Sequence, residues 1–186
     1  DHKLPLVVFS EGGGGRPGDV DWHGGLGSLV SPAFHYFAKL SGLVPLVCIN
    51  SGRCFAGNAG LLGMSDVVIA TKNSSIGMGG PAMIEGGGLG NFHPDEVGPM
   101  SVQVPNGVVD IEVEDEAEAV AVAKKYLSYF QGAVSGWDCA DQRLLRNAVP
   151  EDRLRAYDMR NVIDLLADTD SVLEIRRGFG AGMITA

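Results

Sequence analysis

Val44-Pro45-Leu46-Val47-Cys48-Ile49 opens into Ser51-Gly52-Arg53-Cys54-Phe55-Ala56-Gly57-Asn58-Ala59-Gly60-Leu61-Leu62-Gly63, and the chain then resumes as Asp66-Val67-Val68-Ile69-Ala70. The two outer runs are short, continuous and apolar, as buried strands are. Between them a glycine-bearing loop leads into a short helix, where Gly60 and Gly63 read as positions pressed on another backbone. Upstream, Leu4-Pro5-Leu6-Val7-Val8-Phe9 repeats the apolar texture. The segment from Ser28 to Leu40 spaces Val30, Ala33, Phe34, Phe37, Ala38 and Leu40 mostly three or four apart, with Ser28 or Ser31 as cap and Pro32 in the first turn. Strand, helix and strand make a βαβ unit, whose right-handed crossover pairs the strands in parallel. The fold class is therefore α/β.

Downstream, Ser74 to Met78 reads as a short strand and Val108 to Val113 as another. A helix follows from Asp115 to about Phe130, with Val120, Ala123, Leu127 and Phe130 on one face. The acidic run Asp110 to Glu118 reads as the solvated start of that helix rather than as a metal site, because acids favour a helix N-terminus. Beyond Gly132, Trp137 to Asn147 reads as a short helix and Tyr157 to Ala167 as a longer one. Val172 to Ile175 and Gly182 to Thr185 read as two paired strands. A domain boundary is expected near residue 150.

The 186 residues include 27 glycines, about twice the usual share of roughly one in fourteen. No G-X-Y period runs through them, and 45% apolar residues exclude a disordered linker. A net charge of −9 argues against general binding to nucleic acid or to anionic membranes, so an anionic ligand must meet local positive groups. Cys48, Cys54 and Cys139 are odd in number, and a reducing cytoplasm is the simplest setting for them. Neither a signal peptide nor an 18-residue apolar stretch is visible. The opening, Asp1-His2-Lys3 running straight into an apolar strand, reads as a cut end.

The glycines fall in clusters, and the usual phosphate-loop patterns fail. Gly12-Gly13-Gly14-Gly15-Arg16-Pro17-Gly18 lacks the Lys and hydroxyl residue of a P-loop. Gly12-x-Gly14 and Gly88-x-Gly90 are followed at the third position by Pro17 and His93, so no dinucleotide fingerprint forms. There is no G-x-S-x-G elbow and no H-E-x-x-H. His2, His23, His35 and His93 are scattered singly, without metal spacing.

A glycine loop that enters a helix does have a use: it exposes main-chain N–H groups that no side chain blocks. At Gly57 and Asn58 such groups would point at a ligand with the helix dipole behind them. One oxyanion donor of this kind is worth roughly 3 to 4 kcal/mol in a transition state. Glycines placed only for tight packing remain an equal reading of the same residues.

Ser51-Gly52-Arg53-Cys54-Phe55-Ala56-Gly57-Asn58-Ala59, then Met64 to Ala70, then Ile76-Gly77-Met78-Gly79-Gly80-Pro81, resembles the signature of biotin-dependent carboxyltransferases of the crotonase superfamily. Pro5 to Arg16, Asn106-Gly107-Val108-Val109-Asp110, and Val149-Pro150-Glu151-Asp152 through Tyr157-Asp158-Met159-Arg160 continue the resemblance in order along nearly the whole chain. It implies a crotonase/ClpP-like ββα superhelix, incomplete here. Residues 1–149 correspond to the later part of an N-domain on the acyl-CoA side, and 150–186 to a linker helix and the first strands of a C-domain. The biotin-side oxyanion loop and an A-M-K-M type biotin-attachment motif are not found in the sequence.

The implied reaction moves CO2 from carboxybiotin to the α-carbon of an acyl-CoA. Gly57 and Asn58 stand where the family places its acyl-side oxyanion peptide, more often two glycines. Gly13, Gly14, Gly15 and Arg16 match the turn beside the pantetheine path, and Gly79 and Gly80 the segment lining the same site. Arg16, Arg53 and Lys72 are candidates for the CoA phosphates. Biotin would arrive on a separate carrier domain and no metal is implied. The implied partners are biotin carboxyl carrier and biotin carboxylase domains or subunits, in a homo-oligomer with the active site between protomers. Two other readings are a crotonase-type hydratase or hydrolase, which needs a carboxylate near the loop with Glu85 and Asp66 nearest in sequence, and a non-catalytic assembly fragment.

Overall fold

The computed structural model describes residues 2–13 and 32–186. The chain runs β1 (Leu6–Phe9), α1 (Pro32–Leu40), β2 (Leu46–Asn50), β3 (Arg53–Phe55), α2 (Gly57–Gly63), β4 (Val67–Thr71), β5 (Ser75–Gly77), α3 (Pro81–Gly86), α4 (Met100–Gln103), β6 (Ile111–Val113), α5 (Glu116–Ser128) and α6 (Met159–Leu166). Short 3-10 turns lie at Pro94–Glu96 and Gln142–Asn147. The expected caps at Ser28 or Ser31 lie outside the described residues.

The main sheet is parallel throughout, in the order β1-β2-β4-β6. Val7 stands beside Val47, Val47 beside Val67, and Ile69 beside Ile111. Every residue of β2 and β4 is buried, and because side chains alternate across a strand, both faces of the sheet must be covered. Val47, Ile49, Val67 and Ile69 pack on Ala119 and Ala123 of α5. Cys48, Val68 and Ala70 face the other way, onto Cys54, Ala59, Leu62, Ile76 and Met100. Each large aliphatic side chain buried in this way contributes about 1.5 to 3 kcal/mol relative to exposure.

A second, smaller parallel sheet pairs β3 with β5, Cys54 beside Ile76. Isolated bridges extend it at both sides, Gly12 to Cys54 and Ser75 to Pro99. Of this sheet only β5 was expected, as the short strand from Ser74 to Met78. Three residues carry no readable period, and β3 is a strand because Gly12 and β5 flank it.

Asp115 caps α5 by accepting from the Glu118 N–H at 2.9 Å, with Glu116 and Glu118 in the first turn, so the helix starts as expected. Asp110 corrects the reading of the acidic run: it is buried and lies before the helix, not on its solvated start. The Trp137–Asn147 segment forms only 3-10 turns from Gln142, capped by Asp141. The paired strands expected near the end reduce to one bridge, in which the Ile175 N–H donates to the Thr185 carbonyl at 2.8 Å.

The segment after α6 returns to the main body. Lys125 Nζ donates to the Val172 carbonyl at 2.7 Å and the Tyr129 hydroxyl to the Ser171 carbonyl at 2.6 Å. Arg160 grips Glu174 with Nε at 2.9 Å and Nη2 at 2.5 Å.

Candidate active site

Because the main strands run in parallel, their carboxyl ends share one edge, the usual location of sites in open α/β sheets. A buried polar ladder lines that edge. The Ser10 hydroxyl donates to Asn50 Oδ1 at 2.9 Å, Asn50 Nδ2 donates to the Gly52 carbonyl at 2.9 Å, and the Ser74 hydroxyl donates to the Asn50 carbonyl at 3.0 Å. Ser74 Oγ in turn accepts from the Gly52 N–H at 3.2 Å. Buried polar groups persist only when bonded, and here the bonds fix the loop that leaves β2 and enters β3.

β3 turns sharply into α2 at Ala56, with φ 55° and ψ −126°. For a residue with a Cβ this backbone costs on the order of 1 to 3 kcal/mol and must be held by its surroundings. The Ala56 N–H donates to the Gly77 carbonyl at 3.2 Å, and the Ala56 carbonyl accepts from Gly60 at 3.1 Å. The turn presents the Gly57 and Asn58 N–H groups at the start of α2. Neither has a hydrogen-bond partner among the described residues, as expected of first-turn donors without a cap.

Two features crowd this point. A Cβ on Gly57 would lie 2.9 Å from Phe34 Cζ, and one on Gly60 would lie 3.6 Å from Phe34 Cε1, so the α1 ring rests on the bare face of α2. The glycine turn after β1 approaches from the other strand. Gly12, at φ +132°, donates to the Arg53 carbonyl and accepts from the Phe55 N–H, both at 2.8 Å. The Asn58 side chain reaches that turn, Nδ2 donating to the Ser10 carbonyl at 3.2 Å and the Glu11 carbonyl at 2.9 Å.

A Cβ on Gly13 would meet nothing within 4 Å among the described residues, whereas Gly14, Gly15 and Arg16 lie outside them. Gly79 and Gly80 follow β5, and a Cβ on Gly80 would lie 3.6 Å from the Phe55 ring, two residues before Gly57. The structure thus gathers Gly12, Gly57, Asn58 and Gly80 around β3. The two candidate cations among the described residues are each ion-paired. Arg53 Nε bonds Asp95 Oδ1 at 2.8 Å, which holds that carboxyl below the usual range, and Lys72 pairs with Glu114.

Sequence proximity misidentified the nearest carboxylate. Asp66 lies at the opposite, amino edge, where its Oδ2 accepts from the Leu46 N–H at 2.8 Å. Glu85 is exposed on α3 and accepts from Asn91 Nδ2 at 3.4 Å. The carboxylate beside the site is Glu11, brought in by the pairing of β1 with β2, and its Oε1 accepts from the Ser51 N–H at 2.5 Å. Nothing local in sequence signals this, since the two residues are 40 apart. Glu116 holds the same serine from α5, accepting from Ser51 Oγ at 2.6 Å, a bond that holds the Glu116 carboxyl below the ordinary carboxylate range.

Cys48 and Cys54 are buried and unpaired, and burial pushes the Cys48 thiol up to about 12 and the Cys54 thiol up as well. A cavity of about 410 Å³ runs along α2 between Ala59, Gly63, Met64, Ile76, Met78 and Val108. Among the described residues no group of three metal-ligating side chains occurs, and no described helix is long and apolar enough to cross a membrane.

Comparison with known proteins covers the same ground. Residues 1–186 match the family described as Carboxyl transferase domain. The methylmalonyl-CoA carboxyltransferase 12S subunit of Propionibacterium freudenreichii subsp. shermanii is 29% identical over 98% of this chain and 36% of its own length. A solved single-chain, multi-domain long-chain acyl-CoA carboxylase is 55% identical, with a TM-score of 0.90 over 97% of this chain and 18% of that one. The transcarboxylase 12S hexamer with hydrolysed methylmalonyl-CoA bound aligns with a TM-score of 0.69 at 28% identity, over 82% of this chain and 32% of that one. The chain spans about a third of the length of the curated relatives it matches.

Proposed function

Since this chain belongs to the carboxyl transferase domain family and has its crotonase-like α/β fold, we propose that it forms the acyl-CoA side of a biotin-dependent carboxyltransferase site. The observation that carries the reading is the strained Ala56 turn, which presents two main-chain donors without a partner among the described residues, beside a glycine turn. Carboxybiotin, delivered by a separate carrier, supplies the carboxyl group when bound. The donor set here suits the other substrate. Gly57 and Asn58 N–H groups stabilise the thioester oxygen as enolate charge develops on it, and being already oriented they need no reorganisation during the step.

Gly12, Gly13, Gly79 and Gly80 leave bare backbone for the pantetheine arm, and the sequence continues the same glycine run through Gly14 and Gly15. Arg16, which lies outside the described residues, is the sequence candidate for the CoA phosphates, and Arg53, whose Nε is bonded to Asp95, would join it through its remaining guanidinium nitrogens. The 55% identity to a long-chain acyl-CoA carboxylase favours a long acyl group. Residues 150–186 are read as the linker and first strands of a second domain, in an oligomer that draws on biotin carboxyl carrier and biotin carboxylase partners. Three free thiols suit a cytoplasmic setting.

The test is carboxyl transfer between malonyl- or methylmalonyl-CoA, or longer carboxyacyl-CoA, and free biotin by the intact protein. Transfer is expected, with loss of two to three orders of magnitude in Gly57→Pro. Unimpaired transfer by Gly57→Pro overturns the donor assignment, and no transfer with any acyl-CoA overturns the reading as a whole.

A further inference from the structure

We propose that the Asn58 side chain is a positioning residue: its carboxamide clamps the glycine turn after β1 onto the first turn of α2, and so sets the spacing between the acyl-CoA binding turn and the oxyanion donors. The proposal rests on the function proposed above.

A carboxamide nitrogen carries two protons, and both are used. They go to two successive carbonyls, Ser10 at 3.2 Å and Glu11 at 2.9 Å, on a segment 48 and 47 residues earlier in the chain. The next residue, Gly12, is fitted round the amide, since a Cβ there would lie 2.8 Å from Asn58 Nδ2. Gly12 is itself bonded on both sides to β3, through Arg53 and Phe55. The turn is therefore held twice. The β3 main chain fixes its register, and Asn58 fixes its orientation against the start of α2.

The clamp and the donor belong to one residue, because the Asn58 main-chain N–H is one of the two proposed oxyanion donors. A movement of the turn is thus transmitted to the donor without an intermediary. Glycine at 58 would keep the donor and lose the clamp.

The experiment compares the intact protein with Asn58→Ala, Asn58→Gly and Asn58→Asp, measuring kcat and KM for acyl-CoA alongside hydrogen exchange at residues 8–13. With the clamp removed, KM for acyl-CoA is expected to rise about tenfold while kcat falls less, and exchange at Gly12 and Gly13 to accelerate with β4 and α5 unchanged. Asn58→Asp is expected to be worse than Asn58→Ala, because a carboxylate would face two carbonyl oxygens. If wild-type transfer is normal and Asn58→Ala keeps both constants within about twofold, or if Asp and Ala behave alike, the clamp is refuted. If wild type carries out no transfer, the functional reading falls and exchange alone judges the clamp: unchanged protection at Gly12 and Gly13 overturns it.

Discussion

Arg176 donates to Asp110 twice, from its main-chain N–H to the Asp110 carbonyl and from Nε to Oδ1, each at 2.7 Å. The other carboxylate oxygen of Asp110 accepts from the Val68 N–H at 2.8 Å, so one buried side chain ties β4, the approach to β6 and the segment after α6. Asp110→Ala leaves the Val68 N–H buried and unpaired and frees Arg176. A loss of about 2 to 4 kcal/mol is expected, read as a lower urea midpoint. Arg176→Ala is expected to cost about half as much, because its main-chain bond survives and its side chain is half-exposed.

Gly98 has φ +64°, and a Cβ there would lie 1.8 Å from the Ile76 carbonyl oxygen, which is backbone and has no room to yield. Gly98 also accepts from the Ile76 N–H at 2.8 Å. Gly98→Ala is expected to destabilise the fold by more than about 2 kcal/mol. A thermal midpoint unchanged from wild type would contradict this geometry.

The contact at Gly57 is of another kind, because its obstacle is the far end of the Phe34 side chain. Gly57→Ala is expected to cost about 1 kcal/mol alone and close to nothing in a Phe34→Ala background. A double-mutant cycle measures the coupling, and strict additivity would show that the ring does not rest there.

The three thiols should differ in reactivity. Burial keeps Cys48 and Cys54 protonated near neutrality, and Cys139 is only half-buried. Iodoacetamide on the native protein is expected to modify Cys139 and to reach the other two only after denaturation. Peptide mass spectrometry resolves the sites.

Arg160 holds the Glu174 carboxyl below its ordinary range. A depressed carboxyl stabilises the fold above its unfolded value of about 4.3, and that contribution is lost as pH falls through the folded value. The thermal midpoint is expected to drop below about pH 4, and Glu174→Gln to flatten the drop while lowering stability at pH 7.

The main sheet was legible because β1, β2 and β4 are apolar runs long enough to show their burial, with α5 marked by its acidic cap and apolar stripe. The second sheet was legible only in β5, because β3 has the composition of a loop and gains its conformation from partners on either side. The site divided similarly. Gly57 announced itself as a residue without a side chain at the entrance to a helix, whereas Gly80 was marked only by the resemblance, and the helix that starts after it was not expected. The roles of Glu11, Phe34 and the Asn58 carboxamide depend on parallel pairing and on α1 crossing over α2, neither of which leaves a mark within a few residues of them.

The donors at the head of α2 are main-chain atoms, and this shapes what can alter them. No substitution deletes an amide N–H except one to proline, so a survey that truncates side chains one by one would pass over the proposed donors and register only the side chains that support them. Nor do these donors titrate. If the proposed oxyanion role holds, any pH dependence of turnover must therefore originate in groups other than these two amides.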